Sequence, residues 1–348
     1  MSSSENSSSQ QQLLNGKNVL YVGIAWGVLS LVFYIVYNFF FLEQQRSIWY
    51  LLGTYVDESL PFLVAALLCY RNWRNPQIPS GQSVWLFVGL GTLCYVIANF
   101  LFGWWELYWG LDPDVSPADI FYIGFYVFVT TALVLAVLPR RLNLELWQLL
   151  TVGAVATVGI GLAVWITFVI PVTAAEVPEA VGIIPENIDS APALEQLAPT
   201  NSLPTITAKE KLELSKAEAL TPTLETVNEK QIPAWIEATD EFLSRFSQPV
   251  NFSYIFGDVI FIIVAAAVLL AFWGGRLAQS WQMIAGATLS LYIADMWFKY
   301  VETLPTEYES GGVLEVFYVF SGLLFAIGAA LEFDVSNRSR RAGRRRAR

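Results

Sequence analysis

The stretch IADMWFKYVETLP, residues 293–305, closes an otherwise apolar run that begins near Trp281. Asp295, Lys299 and Glu302 are spaced by four and then three, so on a helix they share one face. A lone buried carboxylate is costly, and Lys299, one turn away, is the partner expected for Asp295. Such a pair is either a local packing solution or the centre of a ligand pocket. Asn99, Asp57, Asp258, Glu106, Glu302 and Trp105 complete the candidate ligand-binding set. Trp105 belongs to an aromatic group with Trp104, Tyr108, Trp109 and Trp297, which suits an interfacial belt and could also line a pocket for an apolar or cationic ligand.

Catalytic chemistry has little to draw on. The 348 residues contain no histidine, which removes the usual imidazole base and metal ligand. Cys69 and Cys94 both fall inside apolar runs, where cysteine behaves as a small hydrophobe. No glycine-rich nucleotide loop occurs. The expectation is a non-enzymatic protein with no catalytic residues, no metal and no cofactor. A retinal linkage at Lys299 is disfavoured by its place near the outer end of its span.

The elements that must position these residues are membrane helices. Hydrophobic residues make up 55% of the chain and charged ones 14%, against about 25% charged in a soluble domain. Spans of roughly 20 apolar residues are predicted at 18–42, 49–70, 84–107, 118–138, 146–171, 252–273, 280–302 and 313–333. The expected fold is an all-α integral membrane protein of about eight transmembrane helices. Thirteen of the twenty Lys and Arg residues fall on one side of that arrangement, including Arg71, Arg74, Arg140, Arg141, Arg276 and the arginines of SNRSRRAGRRRAR. The positive-inside rule then makes both termini cytoplasmic.

In this topology residues 1–17 are a disordered cytoplasmic tail and 334–348 an Arg-rich one. Residues 172–251 form an acidic, largely extended outer loop; Pro171, just before it, and Pro178, Pro185, Pro192 and Pro199 within it recur every seven residues. Two segments in it read as helical, 207–220 and 232–248; the second puts Trp235, Phe242 and Phe246 on one face, as in a helix lying on a membrane surface.

The chain also repeats. WLFVGLGTLCYVIANFLFGWWE (85–106) aligns without a gap to WQMIAGATLSLYIADMWFKYVE (281–302), at an offset of 196. Trp85 falls on Trp281, Asn99 on Asp295 and Glu106 on Glu302, and DIFY (119–122) falls on EVFY (315–318). More loosely, Asp57 falls on Asp258. The reading is of two parallel four-helix repeats, 18–138 and a second opened by the fifth span (139–171) and completed by 252–333, related by an axis along the membrane normal. With orientation fixed, Asp57, Glu58, Asn99, Glu106, Asp119, Asp258, Asp295, Lys299, Glu302 and Glu315 form a polar layer in the outer leaflet. Asp119 and Glu315 also suit helix N-termini.

Residues 85–128 resemble part of the multi-pass membrane sensory region found N-terminal to bacterial diguanylate cyclases and histidine kinases. The likeness rests on Trp85, Asn99, Trp105-Glu106, Asp112-Pro113, Ser116-Pro117-Ala118-Asp119 and Phe121-Tyr122, about forty-five residues in all. Only fifteen residues follow the last expected span in this sequence, so the expectation is of an input module without its own cyclase, kinase or other output domain. The resemblance implies a sensory or accessory module in a bacterial inner membrane, or another internal energy-transducing membrane. It would read a small ligand from the outer side and act through a cytoplasmic or membrane signalling partner. A small-solute or ion transporter and a membrane-complex assembly factor are the alternatives. The lipid bilayer is an expected partner and nucleic acid is not.

Overall fold

The computed structural model describes residues 15–41, 47–111, 114–138, 145–169, 232–275, 277–303 and 310–346. Among them are nine α-helices and no strand: α1 (Gly16–Phe40), α2 (Ile48–Trp73), α3 (Gln82–Gly103), α4 (Asp119–Val137), α5 (Leu146–Val164), α6 (Ala234–Ser244), α7 (Ser247–Ala271), α8 (Ala278–Glu302) and α9 (Val316–Arg346). Seven of them, α1 to α5, α7 and α9, are long and apolar enough to cross a membrane. The chain is therefore a multi-pass membrane protein. The expected count of eight becomes seven by this measure. The exception, α8, is 25 residues long, but Asp295, Lys299, Glu302 and two glutamines make it more polar than the rest. Most of the expected acidic loop, with its proline series and the segment 207–220, lies outside the described residues.

Local sequence sets the helix ends. Ser47 caps α2, its hydroxyl accepting from the Trp49 N–H at 3.4 Å. The Asp119 carboxylate accepts from the Ser116 N–H at 2.6 Å and fixes the start of α4. The Glu315 carboxylate does the same ahead of α9, accepting from the N–H groups of Gly311 at 2.7 Å and Gly312 at 2.9 Å. Gly311 has φ +96°, and a Cβ there would lie 2.5 Å from the Tyr50 ring, so glycine is required on both counts. These caps realise the helix-terminus role expected for Asp119 and Glu315.

Six helices close into a ring. α2, α3, α4, α7, α8 and α9 pack in that order, and α9 returns to α2; α1 lies against α9, and α5 against α7. Large apolar side chains on α1 and α5 point away from the protein, among them Val22, Phe39, Leu150 and Val158. A surface this apolar matches hydrocarbon rather than water. Inside the ring, Phe62, Tyr95, Phe125, Phe261 and Phe325 are buried together. Phe62 and Tyr95 stack with centroids 3.8 Å apart. Trp85 and Trp281, aligned in the sequence, meet within the bundle with centroids at 6.3 Å.

One end of the bundle is tied by polar contacts to α9. The Gly16 N–H donates to Asp334 Oδ2 at 2.8 Å, Asn72 Nδ2 to the Ala329 carbonyl at 2.8 Å, and Asn75 Nδ2 to Ser336 Oγ at 2.9 Å. This end is called proximal below, and the opposite end distal.

At the distal end, α6 replaces the helix expected over 232–248. Ile236 is buried, while Trp235, Phe242 and Phe246 are exposed, the last just beyond the helix. Three exposed aromatics beside a ring of membrane helices fit an interfacial position. A fluorophore on Trp235→Cys, with Cys69 and Cys94 changed to alanine, is expected to be shielded from aqueous iodide and quenched by a lipid-phase nitroxide. Full iodide quenching would place α6 in water.

Candidate functional site

The distal end of the ring encloses a cavity of about 530 Å³ to which all six ring helices contribute. Its size is that of a small-molecule site. Seven of its lining side chains are acidic, one is basic, six are tyrosines and three are phenylalanines. The polar residues reach it because each helix presents one polar face at its distal third and an apolar face below it.

Two hydrogen-bonded clusters face each other across this space. In the first, Asn99 Nδ2 on α3 donates to Glu58 Oε2 on α2 at 3.2 Å, and the Tyr122 hydroxyl on α4 donates to Asn99 Oδ1 at 2.6 Å. Tyr34 on α1 donates to Glu58 Oε1 at 3.0 Å from behind. In the second, the Tyr318 hydroxyl on α9 donates to Asp295 Oδ1 on α8 at 2.9 Å. The Tyr126 hydroxyl on α4 lies 2.6 Å from Asp295 Oδ2 and 2.5 Å from Asp258 Oδ1 on α7. Tyr122 and Tyr318 are separated in sequence by the same 196 residues as Asn99 and Asp295, and each tyrosine bonds its own α3 or α8 residue. At the aligned positions the clusters differ by one amide, at Asn99, against one carboxyl, at Asp295; Tyr34 is found only in the first cluster and the bridging Tyr126 only in the second.

The structure gathers Asp295, Lys299, Asn99, Asp258 and Glu302 around the one cavity. Three other candidates lie elsewhere. Asp57 points at α1, accepting from Trp26 Nε1 at 2.6 Å and Ser30 Oγ at 3.0 Å. Successive helical residues are separated by about 100°, so Glu58 turns into the ring when Asp57 turns out. Glu58, not Asp57, is the group that stands opposite Asp258. Glu106 sits in a π-helical turn, Trp104–Tyr108, where it is held behind the cavity wall by the Tyr55 hydroxyl, with Ser310 Oγ at 3.3 Å. Trp105 is buried against Trp104 and does not line the space.

The expected Asp295–Lys299 pair is also corrected. Lys299 Nζ donates to Asn251 Oδ1 at 2.8 Å and to Glu302 Oε2 at 3.1 Å. The turn that places Lys299 below Glu302 points its ammonium toward α7, and Asp295 is met by tyrosine hydroxyls instead. Tyr122, Tyr126, Tyr254 and Tyr318 were not among the candidates. The repeated Phe-Tyr of DIFY and EVFY was a usable signal for two of them, and nothing local marks Tyr126 or Tyr254.

Below the cavity the ring is filled. Phe125 packs edge-on to Phe62, Phe261 and Phe325, with centroids at 6.1, 5.8 and 6.2 Å. Among the described residues no group of three or more Cys, Asp or Glu side chains is arranged to hold a metal ion. Comparison of the chain with protein-family models, with curated proteins and with solved structures gives no match.

Proposed function

We propose that this is a non-enzymatic membrane receptor module, in which a small ligand enters the distal cavity from the outer side and the occupied state is passed to a partner. The observation that carries this reading is a cavity that is polar, roomy and closed at its base by the Phe62–Phe125–Phe325 packing. A transporter needs a path across the bilayer, and here the path would have to pass through buried aromatic rings packed edge-on to one another. The basic residues at the proximal end, Arg71 and Arg74, support an outward-facing cavity by the positive-inside rule.

In this reading α8 is an eighth membrane-embedded helix, accepted because its polar face looks into the cavity rather than at lipid. The two halves are repeats. The ring order supports that: exchanging α2, α3 and α4 for α7, α8 and α9 leaves it unchanged. Coupling runs through α9, a continuous helix of 31 residues that carries Tyr318 at the cavity and extends past the polar clamp at Asp334. The partner is then a signalling protein of the cytoplasm or membrane that reads α9.

The test is labelling of Ser310→Cys, at the cavity wall, by a membrane-impermeant thiol reagent in intact cells, with Cys69 and Cys94 replaced by alanine. Labelling before permeabilisation is expected, and purification of crosslinked native membranes is expected to recover a signalling partner. Labelling only after permeabilisation would overturn the outward-facing site. Recovery of no partner would favour transport.

A further inference from the structure

Among the acids around the cavity, most are already matched. Lys299 serves Glu302. Backbone N–H groups serve Asp119 and Glu315. The Asn99 amide and the Tyr34 hydroxyl serve Glu58. The second cluster is different. Asp258 is 1% exposed, its Oδ1 shares the Tyr126 hydroxyl with Asp295, and its Oδ2 is buried with no donor against it. The group beside it is the Asp295 carboxyl. A tyrosine hydroxyl has one hydrogen, so Tyr126 and Tyr318 bring two hydrogens to two carboxyl groups. Two carboxyls facing each other inside a bundle cannot both stay charged and unmatched: either they share a proton or a cation joins them.

We propose that the Asp258–Asp295 pair anchors the charged end of an organic ammonium ligand, whose apolar body lies among the tyrosine rings of the cavity. This rests on the receptor reading above and names the class of its ligand. A cavity of about 530 Å³ lined by six tyrosines and three phenylalanines is built for a molecule rather than a bare ion. Calcium takes six to eight oxygen ligands, and two carboxyls with hydroxyl neighbours are a poor match. An ammonium needs fewer, and aromatic faces contribute further attraction to it. The protein's own Lys299 shows the preference: its Nζ lies 5.8 Å from the Tyr254 ring centre and 5.4 Å from that of Phe298.

The experiment uses the full chain in lipid nanodiscs, titrated calorimetrically with phenethylammonium, with its neutral analogue 2-phenylethanol, with the anion 3-phenylpropionate, and with calcium chloride. Saturable binding of phenethylammonium is expected, with the alcohol at least about tenfold weaker and the anion silent. Asp258→Asn with Asp295→Asn is expected to lose the ammonium's advantage over the alcohol. Asp295→Asn alone, which has the Asn99 arrangement as its template, checks that folding survives. Equal affinity for the ammonium and the alcohol would overturn the ammonium assignment while leaving a binding cavity in place. So would unchanged ammonium binding by the double variant, or tighter binding of calcium. No saturable binding of phenethylammonium would overturn it too, the pair then being neutralised by a proton. None of these results moves the Ser310→Cys labelling, which tests the receptor reading by itself.

Discussion

Gly322→Ala is expected to destabilise the protein by about 1–3 kcal/mol, although alanine is normally better than glycine inside a helix by up to about 1 kcal/mol. The sign is decided by what the new methyl group meets. A Cβ at Gly322 would lie 2.8 Å from Pro61 Cβ, 2.8 Å from Phe62 Cδ2 and 2.9 Å from the Phe62 nitrogen. A flexible side chain could give way, but a proline ring and a backbone nitrogen cannot without moving α2. This is the crossing of α2 and α9, with Glu58 one turn above on α2 and Tyr318 one turn above on α9. Separating the two helices would therefore loosen the cavity wall as well as the core. Gly161→Ala on α5 is the control, since nothing lies within 4 Å of its added methyl. Thermal unfolding in a detergent–lipid mixture should show Gly322→Ala melting below the parent and Gly161→Ala at or above it. Equal melting of the two would mean that the crossing is loose and that α9 is free to move against α2.

The same crossing shows what could be read from sequence and what could not. Long apolar runs made the helices legible, because crossing hydrocarbon constrains every residue of a span. The polar groups at one end of those runs were also legible, and five of the eight candidates do line one cavity. Facing was lost. Asp57 and Glu58 are neighbours, and only the packing of α2 among its neighbours decides which of them enters the ring: Asp57 meets Ser30 of α1 and Glu58 meets Asn99 of α3. Pairing was lost for a related reason. Lys299 and Asp295 are one turn apart on the same helix, and spacing alone favoured a bond between them. Asn251 and Glu302 offered the ammonium its partners instead, and α7, carrying Asn251, is remote in sequence. Tyr126 was invisible because its partners, Asp258 and Asp295, lie 132 and 169 residues away.

The two clusters make the second large prediction an exchange. If Lys299 were the partner of Asp295, Asp295→Asn would strand an ammonium and destabilise the fold. The observed bonds reverse that expectation. At the matching position Asn99 accepts from Tyr122 and donates to Glu58, so an asparagine at 295 has both of its roles ready: accepting from Tyr318 and donating to Asp258. Asp295→Asn is expected to leave stability within about 1 kcal/mol of the parent, the scale of one net hydrogen bond, or to raise it, since it removes one of two facing carboxyls. Asn99→Asp does the opposite. It deletes the amide donor to Glu58 and sets a second carboxyl against a buried one, with no basic side chain among their hydrogen-bond partners. Uncompensated burial of this kind costs several kcal/mol. Unfolding midpoints of the two variants should therefore separate widely, with Asn99→Asp far below Asp295→Asn. Combining Asn99→Asp with Glu58→Gln supplies an amide donor from the other side and should recover most of the loss. An Asp295→Asn variant as unstable as Asn99→Asp would show that the clusters are not interchangeable, and that the Asp258–Asp295 pair holds the ring together rather than waiting for a ligand.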